Sequence, residues 1–158
     1  MIQEVMQYTN NYFVKFHCGL TEIQVDGLIV DDPSDFVVGQ YVLVLESVLN
    51  DGVYKITGIE GNKLLFGESV VFDVEDGEMI VCGLAVPKAF LALVDEIVAY
   101  NTKNSGNIKS ESLGDYSVTY NGNDDVSWIS AFRKRLQGYR VAYLNLPRKV
   151  KDYVGWYR

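Results

Sequence analysis

The sequence predicts an α+β protein: a short leading helix, a small antiparallel β-barrel or sandwich, two further helices, and an extended C-terminal segment. Three observations carry this. From Tyr12 to Leu84 the chain is a series of short β-branched and aromatic runs punctuated by Gly, Asn and Asp, the texture of closely spaced strands. At Pro87 the apolar period changes from two to about 3.6, the repeat of a helix. The 158 residues, 48% of them hydrophobic and 22% charged, suit one ordinary domain or two small ones with a real core.

Taken in order, Ile2 to Asn10 forms a short helix with Val5, Met6 and Ile2 on one side. It is too short to stand alone and must dock. The strand runs are Phe13 to Cys18, Glu22 to Val30, Tyr41 to Leu45, Val53 to Ile59, Lys63 to Phe66 and Glu78 to Leu84. Asn50-Asp51-Gly52 and Glu60-Gly61-Asn62 are turns, because Gly and Asn tolerate the positive φ of tight hairpins. Short strands this closely spaced favour a barrel or sandwich.

The next helix starts at Pro87, whose missing N–H costs nothing at a first helical position, and runs to about Asn101. Its polar stripe of Lys88, Asp95, Glu96 and Lys103 is narrow. Phe90, Leu91, Leu93, Val94, Ile97 and Val98 cover most of the circumference, which predicts burial on more than one side, in its own domain or against a neighbouring subunit. Thr102 to Asn107 reads as a polar loop, Ser117 to Tyr120 as a short extended piece, and Asn121-Gly122-Asn123 as a turn.

Asn123 or Asp124 then caps a helix over Asp125 to Gln137, stopped by Gly138. Trp128, Ile129, Phe132, Leu136 and Tyr139 share its buried face, and Arg133, Lys134 and Arg135 complement its dipole. Beyond Tyr139 there is no helix signal. Val141 to Leu146 can form a strand, which Pro147 interrupts.

Charge is divided unevenly along the chain. Residues 1–105 hold five Lys and no Arg against sixteen acids, whereas residues 106–158 hold nine basic residues against five acids. From Val126 onward eight basic residues face one acid, Asp152, and all five arginines lie there. An acidic body thus carries a basic tail. No apolar run approaches the roughly 20 residues of a membrane span. The start, Met1-Ile2-Gln3-Glu4, has no signal-peptide character. Cys18 and Cys82 read as reduced core residues of a chain made in a cytosol.

Chemistry-bearing patterns are few. His17 and Cys18 are adjacent, so on one strand they point to opposite faces and cannot form a nucleophile and base pair. No phosphate loop, nucleophile elbow, zinc-protease or dinucleotide phrase occurs. One histidine and two cysteines exclude a structural zinc cluster, and no cofactor is expected. Asp31, Asp32 and Asp35 lack the spacing of a calcium loop and read as a solvated turn around Pro33. Asp73, Glu75, Asp76 and Glu78 read as an exposed hairpin tip, and Asp95 with Glu96 as a solvated helix stripe rather than a hydrolase pair.

The tail alternates Arg133, Lys134, Arg135, Arg140, Arg148, Lys149, Lys151 and Arg158 with Tyr139, Tyr143, Tyr153, Trp156 and Tyr157. Such a mixture suits a protein interface, single-stranded nucleic acid, or folding back onto the acidic barrel. The pI of about 4.6 weighs against sequence-specific DNA binding.

Lys109-Ser110-Glu111-Ser112-Leu113-Gly114-Asp115-Tyr116-Ser117-Val118-Thr119-Tyr120 is the most distinctive stretch. With the helix before it, and the helix after it that ends near Tyr139-Arg140, it resembles the head-tail connector (adaptor) family of tailed bacteriophages and prophages. In that family a Ser-Glu-x-Leu-Gly-Asp-Tyr-Ser phrase lies between two helices. The resemblance spans residues 86–140 and, more loosely, the first helix.

It implies a non-enzymatic structural protein of the virion neck, at the head-tail interface, synthesised in the bacterial host cytoplasm. It implies a homo-oligomeric ring, commonly a dodecamer, mounted under the portal protein. The ring would join the capsid vertex to a stopper or tail-completion protein and extend the channel through which genomic DNA passes without sequence-specific binding. On this reading residues 1–11 and 85–140 form the helical connector core, residues 12–84 an inserted β-barrel domain, and residues 141–158 an extended docking tail. The expected subunit contacts are Phe90, Val94, Ile97, Glu111, Gly114, Asp115 and Tyr116. The expected portal-docking residues are Tyr139, Arg140, Tyr143, Leu144, Arg148, Lys149, Tyr153, Trp156 and Tyr157. The alternatives are another neck or tail-completion protein, or a small β-barrel module that binds nucleic acid.

Overall fold

The structure, a computed structural model, describes residues 1–68, 70–104, 110–113, 116–119 and 127–142. The described residues divide into two compact units, a helical one made of Met1–Asn11 with Pro87–Ala142, and a β unit, Tyr12–Val86.

In the β unit, strands β1 (Val14–Gln24), β2 (Gly27–Val30), β3 (Tyr41–Leu45), β4 (Gly52–Glu60), β5 (Lys63–Phe66) and β6 (Glu75–Leu84) close an antiparallel barrel. The order around the barrel is β1-β2-β5-β4-β3-β6, and β6 returns to pair with β1 from Val14↔Leu84 to Ile23↔Glu75. Closure leaves no open sheet edge in this unit. Leu20, Ile23, Leu28, Val30, Val42, Val44, Ile56, Leu64 and Val81 form the sealed interior. Their spacing follows the two-residue alternation of strands.

Aromatic rings close both ends. Near the Val14 end, Phe36 from the β2–β3 loop meets Phe16 edge-on at 4.9 Å. At the other end Phe72, from the β5–β6 loop, packs against Tyr54 at 4.9 Å and Phe66 at 5.3 Å. On β3 and β6 the outward residues Leu43, Cys82 and Leu84 are buried as well.

Two strand boundaries differ from expectation. The runs Phe13 to Cys18 and Glu22 to Val30 are expected as separate strands, whereas β1 continues through Gly19 to Gln24 and a turn at Val25-Asp26 splits the second run, leaving Gly27–Val30 as β2. Gly19 sits in the strand because its missing side chain leaves room for Asp31: a Cβ there would lie 1.9 Å from the Asp31 carboxylate. A bulge between Leu20 and Glu22 then resets the pairing. β6 begins at Glu75 rather than Glu78, so part of the acidic run is paired strand. The Gly61-Asn62 turn forms as expected, with Gly61 at φ 59°, between the pair Glu60↔Lys63.

The helical unit contains α1 (Ile2–Thr9), α2 (Lys88–Asn104), α3 (Trp128–Leu136), a 3-10 turn (Gln137–Tyr139) and a hairpin of β7 (Ser110–Leu113) with β8 (Tyr116–Thr119). α1 ends at Asn10, whose left-handed φ of 54° lets the Asn11 N–H reach the Met6 carbonyl at 3.0 Å. Asn11 Nδ2 also donates to the Tyr139 carbonyl at 2.9 Å, and the Val141 N–H to the Thr9 carbonyl at 3.1 Å. These bonds tie the ends of this discontinuous unit together. α2 starts one residue late, because Pro87 contributes its carbonyl to Phe90 and Leu91 from outside the helix. α3 starts at Trp128 with Ser127 at its N-cap position, and the expected caps Asn123 and Asp124 lie outside the described residues.

Gly83 lies under the Phe16 ring, and a Cβ there would meet Phe16 Cζ at 2.2 Å. Gly83→Ala is expected to destabilise the protein by about 1–3 kcal/mol through overpacking. Gly67→Ala, with nothing within 4 Å of the added carbon, is expected to change stability by less than about 0.5 kcal/mol. Urea unfolding of the two variants checks the difference.

Candidate interaction surfaces

Among the described residues, function was expected on the helices α2 and α3 and on the Lys109–Tyr120 phrase, and one further surface was not foreseen. In α2 the buried stripe is Phe90, Leu93, Val94 and Ile97, spaced three and four residues apart on a single face. Phe90 and Ile97 are 0% exposed and Val94 6% within one chain. Phe90 meets Tyr139 edge-on at 5.1 Å, and Tyr100 meets Phe132 at 5.6 Å. A helix apolar nearly all round was expected to be buried on several sides. In one chain it buries a single face and leaves Val98 43% exposed and Leu91 half-covered.

On α3, Leu136 is buried, Trp128 and Phe132 are half-buried, and Ile129 is exposed, so the expected apolar face is narrower by one residue. Arg135 makes a two-pronged pair with Glu96, its Nη2 donating to Oε1 at 2.9 Å. The bond holds the Glu96 carboxyl below its usual range, and both side chains remain about half exposed. Screened pairs of this kind fix orientation more than they stabilise. Glu96 is therefore part of an ion pair on the surface. Tyr139 is half-buried, and Arg140 lies over the Tyr8 ring at 5.8 Å.

The distinctive Lys109–Tyr120 phrase contributes the β7–β8 hairpin. Its register runs from Ser110↔Thr119 through Glu111↔Val118 and Ser112↔Ser117 to Leu113↔Tyr116. Glu111 and Tyr116 therefore fall on opposite strands, and the ribbon pairs with no other strand among the described residues. Gly114 and Asp115, between the strands, lie outside the described residues. So do Tyr143, Leu144, Arg148, Lys149, Tyr153, Trp156 and Tyr157, together with the strand expected over Val141 to Leu146 beyond Ala142.

The surface that was not foreseen is the barrel end remote from the Val14↔Leu84 pair. Three connections meet there: the β1–β2 turn, the β3–β4 loop and the β5–β6 loop. The Phe72 N–H donates to the Val25 carbonyl at 3.1 Å, joining the first to the third. Asn50, 4% exposed, joins the second to the third. Its Nδ2 donates to the Asp73 carbonyl at 2.9 Å and to Glu75 Oε2 at 3.3 Å, and its Oδ1 accepts from the Asp73 N–H at 3.0 Å. The Tyr54 hydroxyl donates to the Asn50 carbonyl at 2.9 Å, and the Val48 N–H to Glu75 Oε1 at 2.8 Å. Burial, with the Asp51 charge behind it, pushes the Tyr54 hydroxyl pKa up. This stitched platform displays Val25, Val48, Leu49, Val71 and Val74, between 53% and 83% exposed. The hydrophobic pair Val48-Leu49, set between Ser47 and Asn50, is the sequence signal for it.

Elsewhere the chemistry is structural. His17 is exposed and Cys18 turns inward, as strand alternation requires. Asp32 accepts from the Ser34 N–H at 2.9 Å, a bond that lowers its pKa and makes the Pro33 segment an Asx turn. The Lys63 ammonium bonds Asp26 at 2.6 Å and lowers its pKa likewise. Burial raises Cys18, and it pushes the Cys82 thiol up to about 12.

No protein-family model matches the chain, and no curated protein or solved structure is significantly similar to it.

The Cys82 shift sets a pH dependence. A thiol that keeps its proton when folded but releases it when unfolded gives stability that is full below the unfolded pKa of about 8.5 and declines as pH rises through the folded value of about 12. Stability measured by urea unfolding is therefore expected to fall from pH 9 to 11, less steeply in Cys82→Ala. Equal slopes would contradict the assignment.

Proposed function

We propose that this chain is a structural, non-enzymatic component of a tailed-phage neck, a head-tail connector whose copies form a ring beneath the portal protein and extend the DNA channel. The observation that carries the reading is the β7–β8 hairpin. It is the segment on which the connector resemblance rests, and it stands as a two-stranded ribbon between α2 and α3. A two-stranded hairpin is marginal in water by itself and gains stability from a covering surface. In a ring, the neighbouring copy supplies that surface, and Glu111, Gly114, Asp115 and Tyr116 lie in or beside the segment it would meet.

Burial within one chain reassigns part of the expected contact. Phe90, Val94 and Ile97 are already covered and hold the helical unit together, which leaves the exposed side of α2, with Leu91 and Val98, as the face for a neighbour. The discontinuous helical unit also suits an inserted barrel, since Asn10 and Asn11 bond directly to Val141 and Tyr139. The basic, aromatic segment after Ala142 is the part of the chain assigned to the portal. Backbone bonds of an added strand would give affinity there, and the arginines and rings specificity. Stopper or tail-completion proteins would meet the opposite side of the ring. The acidic loops of the barrel count against the nucleic-acid-binding alternative, whose surface needs positive charge.

Truncation after Ala142 keeps every described bond of the helical unit and removes the segment assigned to docking. Co-sedimentation with rings of the portal protein it is proposed to join is expected for the full protein and lost, by about tenfold or more in affinity, for the truncated one. Undiminished co-sedimentation of the truncated protein would sink the assignment.

A further inference from the structure

We propose that the loop end of the barrel is a docking surface for the C-terminal segment, residues 143–158, of a second copy of this chain. Exposed aliphatic side chains scattered singly over a protein need no explanation, but a contiguous group on an ordered platform marks an interaction site. Here Val48, Leu49, Val71 and Val74 sit on two loops that Asn50 joins, and Val25 on the turn bonded to Phe72. Because the loops are held by hydrogen bonds, binding would not have to order them first.

Charge selects the occupant. The stretches 46–51 and 67–76 contain Glu46, Asp51, Glu68, Asp73, Glu75 and Asp76 and no Lys or Arg. Glu75 is satisfied by the neutral donors Val48 N–H and Asn50 Nδ2, so its charge is not cancelled there. A matching partner needs apolar anchors bracketed by positive charge. The segment 143–158 supplies both: Leu144, Leu146, Val150 and Trp156 among Arg148, Lys149, Lys151 and Arg158, with Asp152 as its one acid. Such pairing of an apolar patch with a complementary field gives both affinity and register.

The two surfaces are different parts of one chain, so their pairing between copies is head-to-tail. Heterologous contacts of this kind close into rings or run on as filaments. The inference rests on the ring reading only for that geometry, and applies to the connector before a portal competes for the tail. Its test contains no portal, so it can fail while portal docking stands, and the reverse.

The test uses full-length protein throughout. Sedimentation velocity is expected to show concentration-dependent self-association of the wild type, weakened about tenfold or more as salt rises and screens the charges. Val48→Asp/Leu49→Asp changes only exposed loop residues, and Arg148→Glu/Lys149→Glu only the tail. Each variant alone is expected to be monomeric with an unchanged circular dichroism spectrum and melting curve. Mixed together they are expected to form a heterodimer, because one copy retains the barrel end and the other the tail. A monomeric wild type would overturn the proposal, including the case in which the tail binds its own barrel. Association that survives either double substitution, or variants that fail to combine when mixed, would overturn it as well.

Discussion

The pairing of β1 with β6 is the constraint on which the rest of the molecule depends. By joining the first and last strands along nearly their whole lengths, it closes the barrel and brings Val14 beside Leu84. The chain therefore leaves the helical unit at Asn11 and comes back at Pro87 after a unit that begins and ends at one place. The Ala85 N–H seals that junction by donating to the Phe13 carbonyl at 2.8 Å. Because the insert returns where it started, α1 remains free to bond the residues that follow α3, through Asn10, Asn11 and Thr9. A long insertion of this kind is tolerated since its own core, not the host's, stabilises it.

Closure also sets what each barrel end can do. At the Val14 end Phe36 and Phe16 fill the opening, and Gly83 is small because the Phe16 ring lies across it. At the other end Phe72 fills the opening from a loop, so that loop has to be held down, and Asn50 does this with both atoms of its amide. Holding the loop leaves its other side chains facing out. Val71 directly precedes Phe72, so once Phe72 turns inward Val71 is carried to the surface, where Val74 is exposed as well. The exposed patch is thus tied to the same contacts that cap the core.

The strands were legible where turn residues are explicit: Gly61-Asn62, with Gly61 at φ 59°, separates β4 from β5 as expected. By contrast, β3 ends at Leu45, the positive φ of the β3–β4 loop falls on Glu46, and Gly52 is already the first residue of β4. Where the reading departed, the cause was tertiary. Gly19 resembles a turn signal locally, yet serves to admit Asp31 against the strand, a contact only the folded barrel creates. The acidic residues from Glu75 onward read as an exposed tip by composition, and pairing with Ile23 makes them strand. Periodicity showed which residues of α2 are apolar but not which of them one chain covers. Phe90, Val94 and Ile97 are buried within the single chain, whereas Val98 on the other side is exposed and Leu91 half-covered. The loop-end patch escaped notice for a similar reason, since its members come from three connections that become neighbours only when the barrel closes.

The split of charge along the sequence, acids before residue 105 and bases after it, acquires a location on the barrel: the loop end carries carboxylates and aliphatic side chains with no basic residue in stretches 46–51 and 67–76. Among the described residues the β7–β8 ribbon pairs with no other strand. Electron microscopy of the full-length protein mixed with a portal protein tests the proposed connector role most directly. The account predicts a coaxial ring of copies stacked on the portal and prolonging its channel. Bare portals with the protein dispersed around them at saturating concentration would contradict it.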